Sequence, residues 1–337
     1  MPYLDDFEEQ FGKPAGKTLS RMIRPTVTAP EGKVFVWGDW SNIEARGLPW
    51  LADAQHRLDV FRAIDADPAN TPDVYLQAVA GMYHHDPMEL LARRRAKDKA
   101  VDALRQRGKI AELALGFAGG VGALQSMASN YGMLFEEDEA AEIVERWRAA
   151  NSWATAFWDE VWGAFIKAFS RPDGTMHRAG LVVYQGVLVG NETWVACFLP
   201  DNRPLFYRNV RERKHVEYDP FDPTEVISTT MKLSFEGADG VKWLWKGILV
   251  ENITQAACAS ILRETLVDLE SGDYDALEVV GHTHDEIITL TDDTPDAIAR
   301  AKDTLRAAMI KRRDWMGNLP VEADITHHAW YSKAIED

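Results

Sequence analysis

The sequence predicts an α+β fold whose sheet is assembled from distant parts of the chain, with a long helical stretch inserted between its strands. Three observations carry this. An apolar, β-branched and aromatic run, "KVFVWGDWS" at 33 to 41, follows the turn-forming "APEGK" and reads as a buried strand ending at Asp39. From about 43 to 170 the spacing of apolar residues is helical. From 171 onward strands return, and apolar runs on either side of "HTHDE" (282 to 286) close the pattern.

Taken in order, the helical stretch is broken at "DADPANTP" (65 to 72), "HHDP" (84 to 87) and "GFAGG" (116 to 120). Between 139 and 169, Ile143, Trp147, Asn151, Ala154, Trp158, Trp162 and Phe165 recur at three- and four-residue spacing, which predicts a packed helical face. The runs "LVVYQGVLV" and "TWVACFL", broken by "DGT", "PDNRP" and "DPFDP", predict strands over 171 to 247. A helix is expected at about 248 to 271, then the strands around "HTHDE", then a helix near 295 to 313. No internal repeat, low-complexity linker or clear domain boundary interrupts this order.

The 337 residues, 46% of them apolar, suffice for a sizeable core. The two cysteines, Cys197 and Cys258, form no CxxC pair, which argues against a disulfide framework or a thiolate zinc site and favours a reducing compartment. The acidic start "MPYLDDFEEQ" is unlike a signal peptide, and no apolar run reaches a membrane span, so a soluble chain without a membrane partner is expected. With 53 acidic against 37 basic residues the formal net charge is -16. A stand-alone nucleic-acid binder is usually basic, because phosphate neutralisation supplies most of its affinity. Any such role needs local patches such as "RRRAKDK" (93 to 99) and "RNVRERKH" (208 to 215), bound cations or a partner; each patch also reads as a solvated face.

Three stretches carry candidate chemistry. Asp39, at the end of an apolar strand, either caps the following helix or coordinates a cation. Arg105, Lys109, Leu113 and Phe117 are spaced by four and on one helix form a stripe of two cations and two apolar groups. Such a stripe suits a triphosphate and a base, or is an ordinary amphipathic helix ended by Gly119 and Gly120. In "HTHDE", His282 and His284 suit zinc or iron, Asp285 and Glu286 suit magnesium if another carboxylate joins them, and the whole stretch also reads as a polar hairpin tip.

Together, and in this order, "DWSNIEAR", "RQRGKIAELALGF" and "HTHDEII" resemble motifs A, B and C of the family A DNA polymerases, the class of bacterial DNA polymerase I and many bacteriophage replicases. "LSRMIRPTVTAPEGK", "PDVYLQAVAGMY", "LPDNRPLFYRNV" and "LVENITQAACASILRETL" agree, the wording is nearest the phage type, and the resemblance covers about 19 to 331. It implies an antiparallel palm sheet with helices and a mostly helical fingers insertion. The implied division is 1–52 palm with motif A, 53–185 fingers with the motif B helix, and 186–337 palm with motif C.

The resemblance implies nucleotidyl transfer to a primer 3′-hydroxyl with two Mg2+ ions, Mn2+ substituting. Asp39 and Asp285 would bridge both, the main-chain carbonyl of Trp40 would add a ligand, and Glu286 would support them. His284 would lie near the primer terminus, and Gln255 would touch the template-primer minor groove. Arg105 and Lys109 would grip the phosphates of the incoming deoxynucleoside triphosphate, Lys109 also donating a proton to pyrophosphate. Glu44 would be the steric gate against a ribose 2′-hydroxyl, with Arg46 tying down the same loop.

The sequence departs from the family pattern at Leu113, where many members carry an aromatic residue, and at Phe117, often a tyrosine. Glu112 puts an acid beside the triphosphate stripe, so the helix must turn it away. Only some 18 residues precede the matching region, which leads to the expectation of palm and fingers without thumb or exonuclease. The function expected is a template-directed DNA polymerase, the catalytic subunit of a split phage replicase whose thumb, and exonuclease if there is one, is a separate polypeptide in the host bacterial cytoplasm. A non-catalytic nucleic-acid-binding or assembly subunit is the alternative, and a hydrolase with a metal on His282 and His284 is a third reading.

Overall fold

The computed structural model describes residues 2–11, 15–219, 222, 224–272, 274 and 277–332. Helices α1 (Pro2–Phe11) and α2 (Ala15–Ile23) precede strand β1 (Lys33–Trp40). The helical stretch comprises α3 (Ile43–Leu51), α4 (Gln55–Ala66), α5 (Val74–Tyr83), α6 (Pro87–Arg95), α7 (Lys99–Leu115), α8 (Val121–Asn130), α9 (Glu137–Ala150) and α10 (Ser152–Ser170). Strands β2 (Asp173–Ala179), β3 (Val182–Val189), β4 (Glu192–Phe198), β5 (Pro204–Tyr218), β6 (Val226–Gly237) and β7 (Gly240–Trp243) come next. The chain continues with α11 (Lys246–Glu270), β8 (Glu278–Thr283), β9 (Glu286–Asp292), α12 (Pro295–Met309) and β10 (Ala323–His328). The expected break "DPFDP" falls partly outside the described residues, at 220, 221 and 223.

The chain forms two compact units, one of Met1–Ser41, Ala259–Arg312 and Val321–Asp337, the other of Asn42–Cys258 and Arg313–Pro320. The first holds an antiparallel four-stranded sheet in the order β10-β1-β9-β8. Val34, Phe35, Val36 and Trp37 are all buried, which is why this run is continuously apolar and why β1 lies inside the sheet. Phe35, Trp37, Leu290 and Tyr331 pack together in one cluster. Gly38 leaves room for its neighbours: a Cβ there would meet the ends of the Met309 side chain of α12 and of Ile325 of β10, which would have to shift. Helix α12 starts at an N-cap, Thr294, whose hydroxyl accepts from the Ala297 amide at 3.3 Å. It stops at Met309, short of the expected 313, where the indole of Trp40 donates to the Met309 carbonyl at 2.9 Å.

In the second unit β2 to β7 form a six-stranded antiparallel meander in sequence order. Its turns use backbone that favours glycine: Gly180, Gly190 and Gly240 all have positive φ. The tryptophan-rich face is buried except at the half-buried Trp162, but it is divided between α9 and α10, because the backbone leaves helical geometry at Asn151 (φ -119°, ψ 46°). The Asn151 amide then donates to the Trp147 carbonyl at 3.0 Å, and Trp147 and Trp158 stack with centroids 6.0 Å apart. Among the described residues, no helix is long and apolar enough to cross a membrane.

Candidate active site

Asp39 does not cap the following helix. It is the penultimate residue of β1, whereas α3 begins at Ile43 after an Asn42 N-cap in the left-handed region. In register, Asp39 lies opposite Glu286 of β9 on one side and Asp324 of β10 on the other, so these three acids share a face of the sheet. Asp285 belongs to the two-residue connection His284-Asp285 between β8 and β9, with His284 left-handed at φ +50°. The Trp40 amide donates to the Asp285 carbonyl at 3.3 Å, fixing this turn against the end of β1. Residues 246 apart in sequence, Asp39 and Asp285, are thereby brought together, both half-buried.

Glu286 is held below the surface. Its side chain is 1% exposed, Arg24 lies 3.4 Å from its carboxylate, and the Tyr331 hydroxyl donates to it. Arg24 also lies over the Tyr331 ring at 5.1 Å, and Trp37 meets that ring edge-on at 5.6 Å. Burial, then the hydrogen bond to Glu286 and its charge, raise the Tyr331 pKa well above the ordinary tyrosine value, and Asp39 adds to the effect. Tyr331 is therefore a neutral donor over the physiological range. Sequence reasoning missed Arg24, Tyr331 and Asp324 as participants. Arg24 and Tyr331 lie in stretches that carried the family resemblance, but their meeting across the chain leaves no trace in residue spacing. Asp324, whose carboxylate accepts from the Ser41 hydroxyl at 2.6 Å, lies in the same matching stretch as Tyr331 but had no role signalled by spacing or motif.

Among the described residues no group of three or more His, Cys, Asp or Glu side chains is arranged to hold a metal. A zinc site on His282 and His284, both exposed, therefore lacks its further ligands. Magnesium is commonly bound by one or two carboxylates plus substrate phosphates and waters, and the Asp39 and Asp285 carboxylates fit that requirement.

The second unit carries the other predicted residues. Helix α7 starts at Asp98, whose carboxylate accepts from the Ala100 amide at 2.9 Å. Arg105 donates through Nε to Asp73 at 2.6 Å and lies over Tyr75 at 5.0 Å. Asp73 is also the N-cap of α5, so one carboxylate starts that helix and tethers Arg105. Lys109 lies between two aromatic rings, 5.8 Å from the Tyr75 centroid and 5.0 Å from that of Tyr131, and has no ion pair among the described residues. One turn further on, Leu113 is 43% exposed. Phe117 is not on the helix: α7 ends at Leu115, and the chain turns through Ala118 at φ +58°. The turn is fixed by packing, since a Cβ on Gly119 would run into the Ala114 carbonyl and the Trp158 indole donates to the Gly116 carbonyl at 3.0 Å.

Glu112 is turned away from the stripe as expected, accepting from Arg57 at 2.9 Å and from the Trp147 indole at 3.0 Å. Glu44 is exposed in the first turn of α3. Arg46 is buried, 2% exposed, with bidentate bonds of 2.6 and 2.7 Å to Asp65 of α4. Gln255 is exposed on α11, its amide 3.5 Å from Glu251.

No family model matches the chain. It is 33% identical over 318 residues to a protein described as a DNA polymerase from Bacillus phage SP02, covering 94% of this chain and 44% of the phage protein. It is also similar to a solved structure described as the POL domain of Pol1 from M. smegmatis in complex with DNA primer-template and dNTP. That match has a TM-score of 0.54 and 12% sequence identity, and covers 92% of this chain and 42% of the other. At that identity the likeness speaks for the fold, and it bears out the α+β polymerase-domain architecture expected from the motifs. The chain thus spans less than half the length of either protein.

Proposed function

We propose that this chain, which resembles the phage-type family A DNA polymerases in its motifs, its fold and its phage relative, carries out template-directed DNA synthesis by transferring a deoxynucleotide to a primer 3′-hydroxyl. The observation that carries the reading is the meeting of Asp39 and Asp285 at the joined ends of β1 and the β8–β9 turn. Two bound magnesium ions would lower the pKa of the attacking hydroxyl and stabilise the leaving pyrophosphate. Asp39 and Asp285 hold them in this reading, with the Trp40 carbonyl as a further ligand. Glu286, its charge already met by Arg24 and Tyr331, acts as a positioning residue that keeps the hairpin end in place.

Arg105 and Lys109 bind the triphosphate, and Lys109, set against ring faces and with no carboxylate partner among the described residues, supplies the proton to pyrophosphate. Leu113 and Phe117 line the sugar and base side, and Glu44 crowds a 2′-hydroxyl. Arg46 acts through α3 and α4, positioning Glu44. His284 lies by the primer terminus and Gln255 by the minor groove of primer-template. The phage relative supports a site of action in a bacterial host cytoplasm.

Primer extension on a primed DNA template with magnesium tests this reading. Wild type is expected to extend, and Asp285→Ala to lose at least about 10³-fold in rate, the scale of one essential electrostatic group. Retention of activity by Asp285→Ala would remove the metal assignment. DNA binding without extension, under any addition, would favour the non-catalytic subunit instead. Repeating the assay with proteins of the same replication system reads out whether a second polypeptide supplies grip on duplex.

A further inference from the structure

The six-stranded meander has one covered face and one open face. Across β2 to β5 the register sets Met176, Gln185, Ala196 and Phe206 in a single row. One residue along each strand, His177, Tyr184, Cys197 and Leu205 form a row on the opposite face. Helix α10 closes that second face: its Phe165 meets the Tyr184 ring edge-on at 5.8 Å, and Tyr184 and Cys197 are fully buried. The first face stays open, with Met176 66% and Phe206 57% exposed. Trp194, two residues before Ala196 on β4, shares it and meets the Phe206 ring at 6.4 Å.

Further along β5 the open face becomes basic. Arg208 follows Phe206 by two residues and lies opposite Glu236 of β6. Beyond the irregularity between Arg208 and Arg211, Arg211 and Arg213 lie opposite Ser234 and Lys232. Glu236, Ser234 and Lys232 are spaced by two on β6, so all three arginines keep to the face of Phe206. Strand β4 pairs with β5 only as far as Tyr207, and β7 with β6 only from Ser234, so Arg213 and Lys232 oppose each other on a two-stranded ribbon. Like charges directly opposite destabilise a strand pair. Arg211 and Arg213 share one oxygen of Glu236, each at 3.6 Å, while the exposed Arg208 and Lys232 side chains have no ion pair or hydrogen bond among the described residues.

The cations alone would suit any phosphate, and the rings beside them narrow the choice. Phe206 holds an exposed ring about 7 Å along the strand from Arg208, a stacking surface for a base next to a contact for its phosphate. A duplex keeps its base faces inside the stack, and inorganic phosphate has no base to offer. An open sheet face with aromatic rings and adjoining cations therefore fits an unpaired strand. We propose that this face of the meander binds single-stranded nucleic acid, with Phe206, backed by Trp194, stacking on a base and Arg208, Arg211, Arg213 and Lys232 contacting the phosphates. It uses none of the residues assigned to nucleotidyl transfer.

Fluorescence anisotropy of labelled oligothymidylate and oligouridylate of about 20 nucleotides, beside a blunt duplex of equal length, tests this on the whole chain without magnesium or nucleotide. Phe206→Ala is expected to weaken single-strand binding about ten-fold with an unchanged salt slope, and Phe206→Trp to restore it. Arg208→Gln with Lys232→Gln should weaken it about as much and make the slope of log affinity against log salt shallower by about 1.4, as for two lost single-strand phosphate contacts. Lys232→Gln alone, which relieves the opposition to Arg213, should weaken binding without lowering the melting temperature, whereas a damaged fold would lower both. Tighter binding of either oligonucleotide says which sugar the face accepts, and both support the proposal. Single-strand binding unchanged in the variants, or duplex binding weakened equally, overturns it. So does a wild type that binds neither strand but sediments as a dimer dissociated by Phe206→Ala, which would make the face a surface between copies.

Discussion

Replacing Glu112 with alanine leaves the Arg57 guanidinium, 12% exposed, without its carboxylate and the Trp147 indole without its acceptor. A buried cation left unpaired is costly, so Glu112→Ala is expected to lose about 3 kcal/mol of stability in a denaturant titration. The sequence shows that Glu112 must leave the triphosphate stripe; it does not show where the side chain goes, because Arg57 and Trp147 lie on other helices. Glu44 is the opposite case, exposed and identified only by the motif around it. Glu44→Ala is expected to increase ribonucleotide incorporation by roughly ten-fold or more, the scale of a lost steric contact of about 1–3 kcal/mol. Unchanged discrimination in a competition assay would remove the steric-gate role.

Among the elements, the six-stranded meander buries three ionisable groups. Burial pushes the Cys197 thiol up to about 12 and raises the hydroxyls of Tyr184 and Tyr207 above the ordinary range. A raised folded-state pKa means that the unfolded chain loses its proton first. The stability linked to Cys197 is therefore complete below about pH 9 and is lost as pH climbs toward 12, by up to about 1.4 kcal/mol per pH unit. Urea midpoints measured at several pH values across that window should fall steeply for wild type and less steeply for Cys197→Ala. The meander itself was legible as β-rich runs with turn residues between them. The division of the tryptophan face between α9 and α10 was not, because Asn151 fits the helical spacing and only its backbone angles reveal the break.

For the whole molecule, the net charge of -16 and the neighbouring acids Asp324 and Asp39 oppose a phosphate backbone. Chelating divalent cations at constant ionic strength is expected to weaken primer-template binding by at least about ten-fold, since a close like-charge contact costs more than ~1.4 kcal/mol. Unchanged affinity would mean that the acids do not face the DNA. The assembly of the first sheet from remote segments was readable because β1 and the runs flanking "HTHDE" are apolar and bounded by turns. The register that sets Asp39 against Glu286, and the bonds that bring Arg24 and Tyr331 to the same carboxylate, depend on pairings between segments, which one sequence does not encode in any local pattern.

The order of strands in that sheet also sets a timetable for synthesis. Strand β1 ends at Trp40, and its partners β9 and β10 end at Asp292 and His328. At roughly 5–20 residues per second, β1 leaves the ribosome about 15–60 s before β10 exists. The second unit is nearly contiguous and can fold in that interval, whereas Val34 to Trp37 wait with both strand edges open. The growing chain therefore leaves this apolar segment exposed throughout that interval, and Asp39 and Asp285 meet only after both β1 and the β8–β9 turn have been made.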